Sequence, residues 1–194
     1  MADYKLVGKH ARAEDGLDKV TGKARFVADY RIPGALHARV LRSPLPHARI
    51  LSLDVSPALQ VPGVIAAITA EDFVDHGKWG WPKKDAYMLA WQKVCYVGDP
   101  VAAVAAETEE AALRGIQAIR VQYEELPVVG DMHHALDLNA PIIPSGEPGA
   151  GNLTNTHLVR FGDPDPILEK CDLIQEGTYT FQPQEHAYLE TEAA

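Results

Sequence analysis

Residues 94–127 read V-C-Y-V-G-D-P-V-A-A-V-A-A-E-T-E-E-A-A-L-R-G-I-Q-A-I-R-V-Q-Y-E-E-L-P, and this stretch decides the fold. Residues 94–97 predict a short strand. The following Gly-Asp-Pro predicts a tight turn, because glycine tolerates unusual backbone angles and proline fixes one. Residues 101–106 are apolar without polar alternation, which is typical of a strand covered on both faces.

A helix is predicted directly after this strand. Thr108 is a favourable N-cap, and the neighbouring glutamates place negative charge at the positive end of the helix. Apolar residues then recur at helical spacing up to Ile119, and residues 119–123 alternate like a strand. A helix between two strands needs a sheet to pack on, so the sequence predicts an α+β layer structure.

Length and composition fit one domain, or one domain with a tail. The chain has 194 residues, of which 46% are hydrophobic and 23% charged. The net charge of -9 argues against nucleic acid or an anionic membrane surface as partner. No apolar run approaches the roughly 20 residues that span a bilayer, and the N-terminus lacks the apolar core of a signal peptide. The two cysteines form no C-x-x-C pair, so we expect reduced thiols and a cytoplasmic location.

Further strands are predicted before the central stretch. Residues 24–30 and 35–42 predict a hairpin, because both segments alternate around an Ile-Pro-Gly turn. Third and fourth strands are predicted at 48–55 and 64–69. A short helix with a capping box between Thr69 and Asp72 is expected to follow.

Beyond residue 136 the chain becomes less regular. Residues 139–155 are rich in Pro, Gly, Asn and Ser, which predicts irregular structure. Strands are predicted at 156–161 and 173–181, with a helix at 163–170 between them. Residues 75–92 contain all three tryptophans and predict a surface loop, for which a structural or interface role is favoured over direct ligand contact.

The polar clusters leave several functions open. The eight histidines form no H-x-x-x-H or H-E-x-x-H pattern, which argues against a self-contained metal site. Residues 42–49 place two arginines and His47 around a proline-stiffened corner, either as a charged turn or as an anion site. If the last strand continues, Gln184, His186 and Tyr188 share one face. Spacing alone does not decide between a buried structural histidine and one wall of a cofactor site.

Six motifs in this order then resemble a known family. They are D-K-V-T-G-K-A-R-F-V-A-D-Y (18–30), L-R-S-P-L-P-H-A-R-I (41–50), P-G-V-I-A-A-I-T-A-E-D-F (62–73), V-G-D-P-V-A-A-V-A-A-E (97–107), V-Q-Y-E-E-L-P (121–127) and Q-E-H-A-Y-L-E (184–190). The chain resembles the molybdenum-binding subunit of the xanthine dehydrogenase/aldehyde oxidase family, relatives of which include 4-hydroxybenzoyl-CoA reductase and nicotinate dehydrogenase.

The resemblance implies a domain order. An N-terminal arm (1–23) is expected to precede an α/β hammerhead domain (24–136). A linker (137–155) then leads into the first strands of a molybdopterin-binding domain (156–194). Family members continue far beyond the Q-E-H-x-Y-L-E motif, with a Gly-rich cofactor loop and a late catalytic glutamate that this sequence lacks. The expectation is therefore the N-terminal part, or a split subunit, of a larger enzyme.

The resemblance also implies a molybdenum hydroxylase that oxidises or hydroxylates an aldehyde, purine, N-heterocycle or aromatic substrate with oxygen from water. A molybdenum–molybdopterin cofactor, in the dinucleotide form, is expected. Electrons would leave through [2Fe-2S] clusters to FAD on partner subunits or domains. Gln184 and His186 are the candidate residues near the cofactor or the iron–sulfur route. The alternative is a stand-alone hammerhead interaction module without enzymatic activity.

Overall fold

The computed structural model describes residues 7–10, 12–81, 84–144, 151–188 and 190. Contacts divide the chain into two units. The main unit is Gly34–Pro164, and the second unit combines Met1–Pro33 with Asp165–Ala194. The domain boundaries expected from the family resemblance remain a prediction.

The described part of the main unit holds eight strands in three small antiparallel sheets. The strands are β1 (His37–Arg42), β2 (Ala48–Asp54), β3 (Val64–Ile68), β4 (Lys78–Trp79), β5 (Ala86–Tyr87), β6 (Lys93–Val94), β7 (Pro100–Ala106) and β8 (Arg120–Glu125). The sheet orders are β1-β7-β3, β6-β2-β8 and β4-β5. The predicted α+β layer structure is confirmed.

The first sheet is organised around β7, the strand predicted to be covered on both faces. Strand β7 pairs with β1 on one side and with β3 on the other. Ala102, Val104 and Ala106 are buried on the face that carries the only long helix of the described residues, Glu109–Ala118. Val101 is buried among residues of the second sheet. The unbroken apolar run of β7 is explained by these two packing partners.

The Glu109–Ala118 helix begins where the sequence predicts. The backbone N–H of Ala111 donates to the Thr108 hydroxyl over 3.1 Å, and Thr108 itself has an extended backbone. Ala111 and Ala112 face the sheet and are buried. Gly115 lies so close to Val104 that an added Cβ would be 2.8 Å from the valine Cγ1. The small residues of this helix therefore set a short distance between helix and sheet.

The second sheet is centred on β2, which pairs with β6 and β8. Its buried cluster consists of Ala48, Ala90, Val94 and Val101, with partly buried Ile50 and Tyr123 against it. The short helix Ser56–Leu59 follows β2 and buries Ala58 against β7 and Ile119. The capping box predicted for Thr69 and Asp72 is also formed, since the Thr69 N–H donates to the Asp72 carboxylate over 2.7 Å.

The predicted hairpin between residues 24–30 and 35–42 is wrong. Residues Val27–Asp29 form a 3-10 turn, and the Asp29 carboxylate accepts the Phe26 backbone N–H over 2.9 Å. This side-chain bond competes with strand pairing. Strand β1 pairs with β7 instead, a partner more than fifty residues away.

The later segments contain less regular structure than predicted. The helix expected over 163–170 is shorter, Asp165–Leu168. The structure assigns no strand to residues 156–161 or 173–181, because a strand needs a ladder partner and none is found for them among the described residues. The second unit also contains the short helix Gly16–Val20, which buries none of its residues.

Candidate functional site

The segment around Gln184 and His186 is the site predicted from the sequence. Both side chains are exposed, and the His186 ring lies 5.5 Å from the Tyr188 ring in a tilted arrangement. The His186 N–H donates to Glu185 Oε1 over 3.0 Å. An imidazole and an amide in this setting are available for hydrogen bonds to a ligand.

The strand alternation expected for this segment is interrupted at Ala187. Its φ of 51° lies in the left-handed region, which is uncommon for a residue with a Cβ. Such conformations cost about 1–3 kcal/mol and occur often at functional sites. His186 and Tyr188 therefore lie on either side of a left-handed residue and not on one face of a regular strand. The periodicity of the sequence does not indicate this change of conformation.

The other histidines lie in separate local settings. No group of three His, Cys, Asp or Glu side chains that is able to hold a metal exists among the described residues. The adjacent pair His133 and His134 lies at a 3-10 turn, where the His133 N–H donates to Asp131. His76 stacks on Trp91 with ring centroids 4.1 Å apart. The absence of a self-contained metal site remains a prediction from the sequence.

The tryptophan-containing loop has one anchored and two exposed indoles. The Trp91 Nε1–H donates to Glu71 over 3.2 Å, and the same carboxylate lies 3.6 Å from His76 Nδ1. Trp79 and Trp81 are exposed. Trp91 is thus fixed by protein groups, while the interface role of the loop remains a prediction.

The proline-stiffened corner at residues 42–49 is a structural corner. Arg42 donates to the Gly98 carbonyl over 2.9 Å, and Arg49 forms an ion pair with Glu124. His47 is buried, and its Nδ1–H donates to the Pro127 carbonyl over 2.7 Å. Since both arginines already have protein partners, the geometry favours the charged turn over the anion site.

A buried carboxyl beside this corner was not identified from the sequence. Asp99 is only 7% exposed and accepts the Cys95 backbone N–H over 2.8 Å. Burial raises the pKa of Asp99, against the opposing effects of this bond and of a hydrogen bond from Tyr96. Its backbone carbonyl accepts the Ser43 N–H over 2.9 Å. Asp99 therefore ties the β6–β7 turn to the corner; the Gly-Asp-Pro sequence predicted the turn but not the burial.

Three small antiparallel sheets and one helix packed on β7 form a mixed α/β domain. The small-sheet unit around β7 and its helix matches the family description "aldehyde oxidase and xanthine dehydrogenase, a/b hammerhead domain" over residues 21–127. The chain belongs to this aldehyde oxidase and xanthine dehydrogenase family. The six motifs quoted from the sequence thus led to the correct family.

Similarity to known proteins extends beyond the hammerhead region to nearly the whole chain. The nicotinate dehydrogenase large molybdopterin subunit of Eubacterium barkeri is 37% identical over 191 residues, which cover 98% of this chain and 44% of that subunit. A probable xanthine dehydrogenase subunit of Bacillus subtilis is 37% identical over 96% of this chain and 25% of its own length. This chain thus spans less than half the length of these relatives.

A solved structure gives the same assignment. The aldehyde oxidoreductase from Desulfovibrio gigas superposes with a TM-score of 0.67 at 30% identity, covering 82% of this chain and 19% of that one. These relatives are oxidoreductases of the molybdenum hydroxylase type. Across the described ranges, no helix combines the length and the apolar character that a bilayer crossing requires.

Proposed function

We propose that this chain is a component of a molybdenum hydroxylase, as its N-terminal part or as a split subunit, and is not catalytic alone. The observation that carries the proposal is the alignment of 98% of the chain with 44% of the nicotinate dehydrogenase molybdopterin subunit. The hammerhead domain would be the scaffold, and residues 184–190 would form part of the cofactor-site wall. The remainder of the molybdopterin-binding region would supply the rest of the site.

The side chains of this chain suit one wall of the molybdenum cofactor site, and they do not suffice to bind an iron–sulfur cluster. A [2Fe-2S] cluster takes four cysteine ligands, whereas the chain has two cysteines, both of them thiols. The iron–sulfur clusters and FAD therefore belong, in this proposal, to partner subunits or domains. Gln184 and His186 are exposed hydrogen-bonding groups that suit the oxygen-rich surface of a molybdopterin dinucleotide.

When bound, the cofactor supplies hydroxylation chemistry with oxygen from water. The Gln184 amide both donates and accepts, so it would orient the cofactor without ligating its metal. The proposed substrate class is an aldehyde, purine, N-heterocycle or aromatic compound. The two reduced thiols support a cytoplasmic location.

Exposed apolar side chains support the need for further protein around the later segments. In the main unit, Leu158 and Phe161 are 87% and 90% exposed. In the second unit, Tyr179 and Phe181 are similarly exposed. Large apolar groups exposed in this number along one stretch are typical of surfaces that another protein segment covers.

The proposal is tested by co-expression with the downstream molybdopterin-domain sequence and the iron–sulfur partner. We expect co-purification, with molybdenum and iron in the complex. A metal-free chain that binds neither partner would instead support the stand-alone interaction module. Metal analysis of the purified complex distinguishes the two outcomes without an assay substrate.

The role of the motif is tested in the assembled complex with matched variants. We expect Gln184→Ala and His186→Ala to lower the molybdenum content per complex, because each removes a proposed contact to the cofactor. Gln182→Ala and His157→Ala are the controls, since both remove the same side-chain types from exposed positions outside the motif. Equal molybdenum content in all four variants would contradict the role of the motif while leaving the assembly proposal standing.

A further inference from the structure

The segment of residues 137–144 is tied to the hammerhead sheet, although it follows the last strand of that domain. The Lys93 ammonium donates to the Ile142 carbonyl over 3.1 Å. The Cys95 thiol donates to the Ile143 carbonyl over 3.1 Å. Lys93 lies in β6 and Cys95 directly after it, so a single edge of the second sheet provides both contacts.

One side chain holds the other side of this segment. The Asn152 Oδ1 accepts the Ile143 N–H over 2.9 Å. The Asn152 Nδ2 donates to the carbonyls of Ala135 over 2.9 Å and Pro141 over 3.0 Å. One half-buried amide thus satisfies three backbone groups, two of them in residues 137–144 and the third at Ala135 in the preceding 3-10 turn.

The chemistry of this position favours asparagine. Both Nδ2 hydrogens and the Oδ1 are used, and a primary amide is the shortest side chain that offers two donors and an acceptor. Aspartate would keep the acceptor but place a carboxylate against two carbonyl oxygens. Alanine would leave one N–H and two carbonyls without these partners, and partly buried backbone groups are rarely left unpaired.

The same contacts build one wall of a groove of about 460 Å³. Cys95, Tyr96, Asp131, Met132, Ile143 and Asn152 line it. The Cys95 thiol is only half-buried and faces the Ile143 carbonyl that Asn152 holds in place through the adjacent N–H. The Cys95 thiol and the Asn152 amide thus bind backbone groups of the same residue, Ile143.

We propose that Asn152 is a latch, which fixes residues 137–144 against β6 and shields Cys95. Residues 137–144, the first part of the expected linker, are then a fixed continuation of the hammerhead domain. This inference does not depend on the proposed enzymatic role. It predicts that opening of the latch is a discrete local event that exposes a thiol.

The test is thiol alkylation of the full chain, resolved by peptide mass spectrometry. Cys171 is exposed and serves as the internal reference. We expect Asn152→Ala and Asn152→Asp to raise the Cys95 alkylation rate relative to Cys171 by about tenfold, which corresponds to about 1.4 kcal/mol of local opening. Backbone hydrogen exchange at Ile143 should rise by a similar factor.

The control is Asn155→Ala, three residues further along. Asn155 lies within hydrogen-bond distance of His157 Nε2, at 2.8 Å, on an exposed stretch, and its described bonds do not involve residues 137–144. It should leave Cys95 and Ile143 unchanged. Amides of β7 should keep their protection against hydrogen exchange in all variants. This measurement separates local opening from global unfolding.

Two outcomes would overturn the latch. In the first, neither Asn152 variant changes the Cys95 rate or the Ile143 exchange. In the second, exchange rises equally in β7, so that the bonds serve global stability and not a local contact. Asn152→Asp conserves side-chain size and one bond, so it keeps the test decisive if Asn152→Ala fails to fold.

Discussion

Replacement of Gly115 by alanine tests the helix–sheet contact on which the hammerhead fold depends. The new Cβ would lie 2.8 Å from Val104 Cγ1 and 3.1 Å from Val64 Cγ2. Carbon atoms do not approach to 2.8 Å without displacement. Val104 is 1% exposed and has a β-branched side chain with few alternative rotamers, so the helix itself has to move.

Two opposing effects decide the magnitude. Alanine in a helix interior is better than glycine by about 1 kcal/mol. Overpacking of a dense core costs about 1–3 kcal/mol, and the two short contacts here place Gly115→Ala in the upper part of that range. We therefore expect Gly115→Ala to lower the free energy of unfolding by about 1–2 kcal/mol. In a chain of this size, that corresponds to a Tm lower by roughly 2–8 °C.

Urea denaturation of the single and double variants measures the effect. Gly130→Ala is the matched control, because its Cβ meets nothing within 4 Å and its φ lies outside the left-handed range. We expect Gly130→Ala to raise the free energy of unfolding by about 0.4–1 kcal/mol. In a Val104→Ala background only the 3.1 Å contact to Val64 Cγ2 remains, so Gly115→Ala should be less destabilising than in the unmodified chain. A stabilising effect of Gly115→Ala in the unmodified chain would refute this reasoning.

Two further predictions concern the cap of the same helix and the buried carboxyl. Thr108→Ala should lower the free energy of unfolding by about 1 kcal/mol in urea titration, because the Ala111 N–H loses its acceptor, while Thr108→Ser keeps the hydroxyl and most of the stability. For Asp99, burial raises the pKa in the folded state, so the folded protein binds more protons than the unfolded one between about pH 4 and the raised pKa. Stability of the parent chain should fall relative to Asp99→Asn as pH rises through the raised pKa; an identical difference at pH 4 and pH 7 would contradict this.

The elements of residues 94–127 were predictable because the sequence patterns that indicate them are local. The strand–turn–strand–helix–strand order of residues 94–127, the cap at Thr108 and the capping box at Thr69 all depend on residues within a few positions of one another. Each is found within one to three residues of its predicted place.

Strand pairing was less predictable because it depends on distant residues. Residues 24–30 alternate as a strand does, yet the Asp29 carboxylate binds the Phe26 N–H and β1 takes β7 as its partner. Alternation reports a two-residue period but not which strand lies alongside. Residues 173–181 are also predicted to form a strand, and they form no ladder among the described residues.

The candidate site was identified by resemblance and not by physical pattern. Spacing predicts Gln184 and His186 on one face of a strand, whereas the structure assigns no strand there and Ala187 adopts a left-handed conformation. No sequence pattern indicates the role of Asn152, because an asparagine in a Pro- and Gly-rich stretch is common. Its amide binds three backbone groups only in the folded chain.

The distribution of burial separates the scaffold from the proposed cofactor wall. The three buried clusters draw their core members from Ala48 to Ile119, while none of the described residues from 153 onward is buried. The free energy of folding therefore resides in the hammerhead sheets, and a change at Gly115 acts on it directly. Gln184 contributes no buried surface, so its replacement should leave the stability of the isolated chain unchanged and alter only what the assembled complex binds. A stability loss in Gln184→Ala would show that this segment belongs to the folding core and that scaffold and site are not separable.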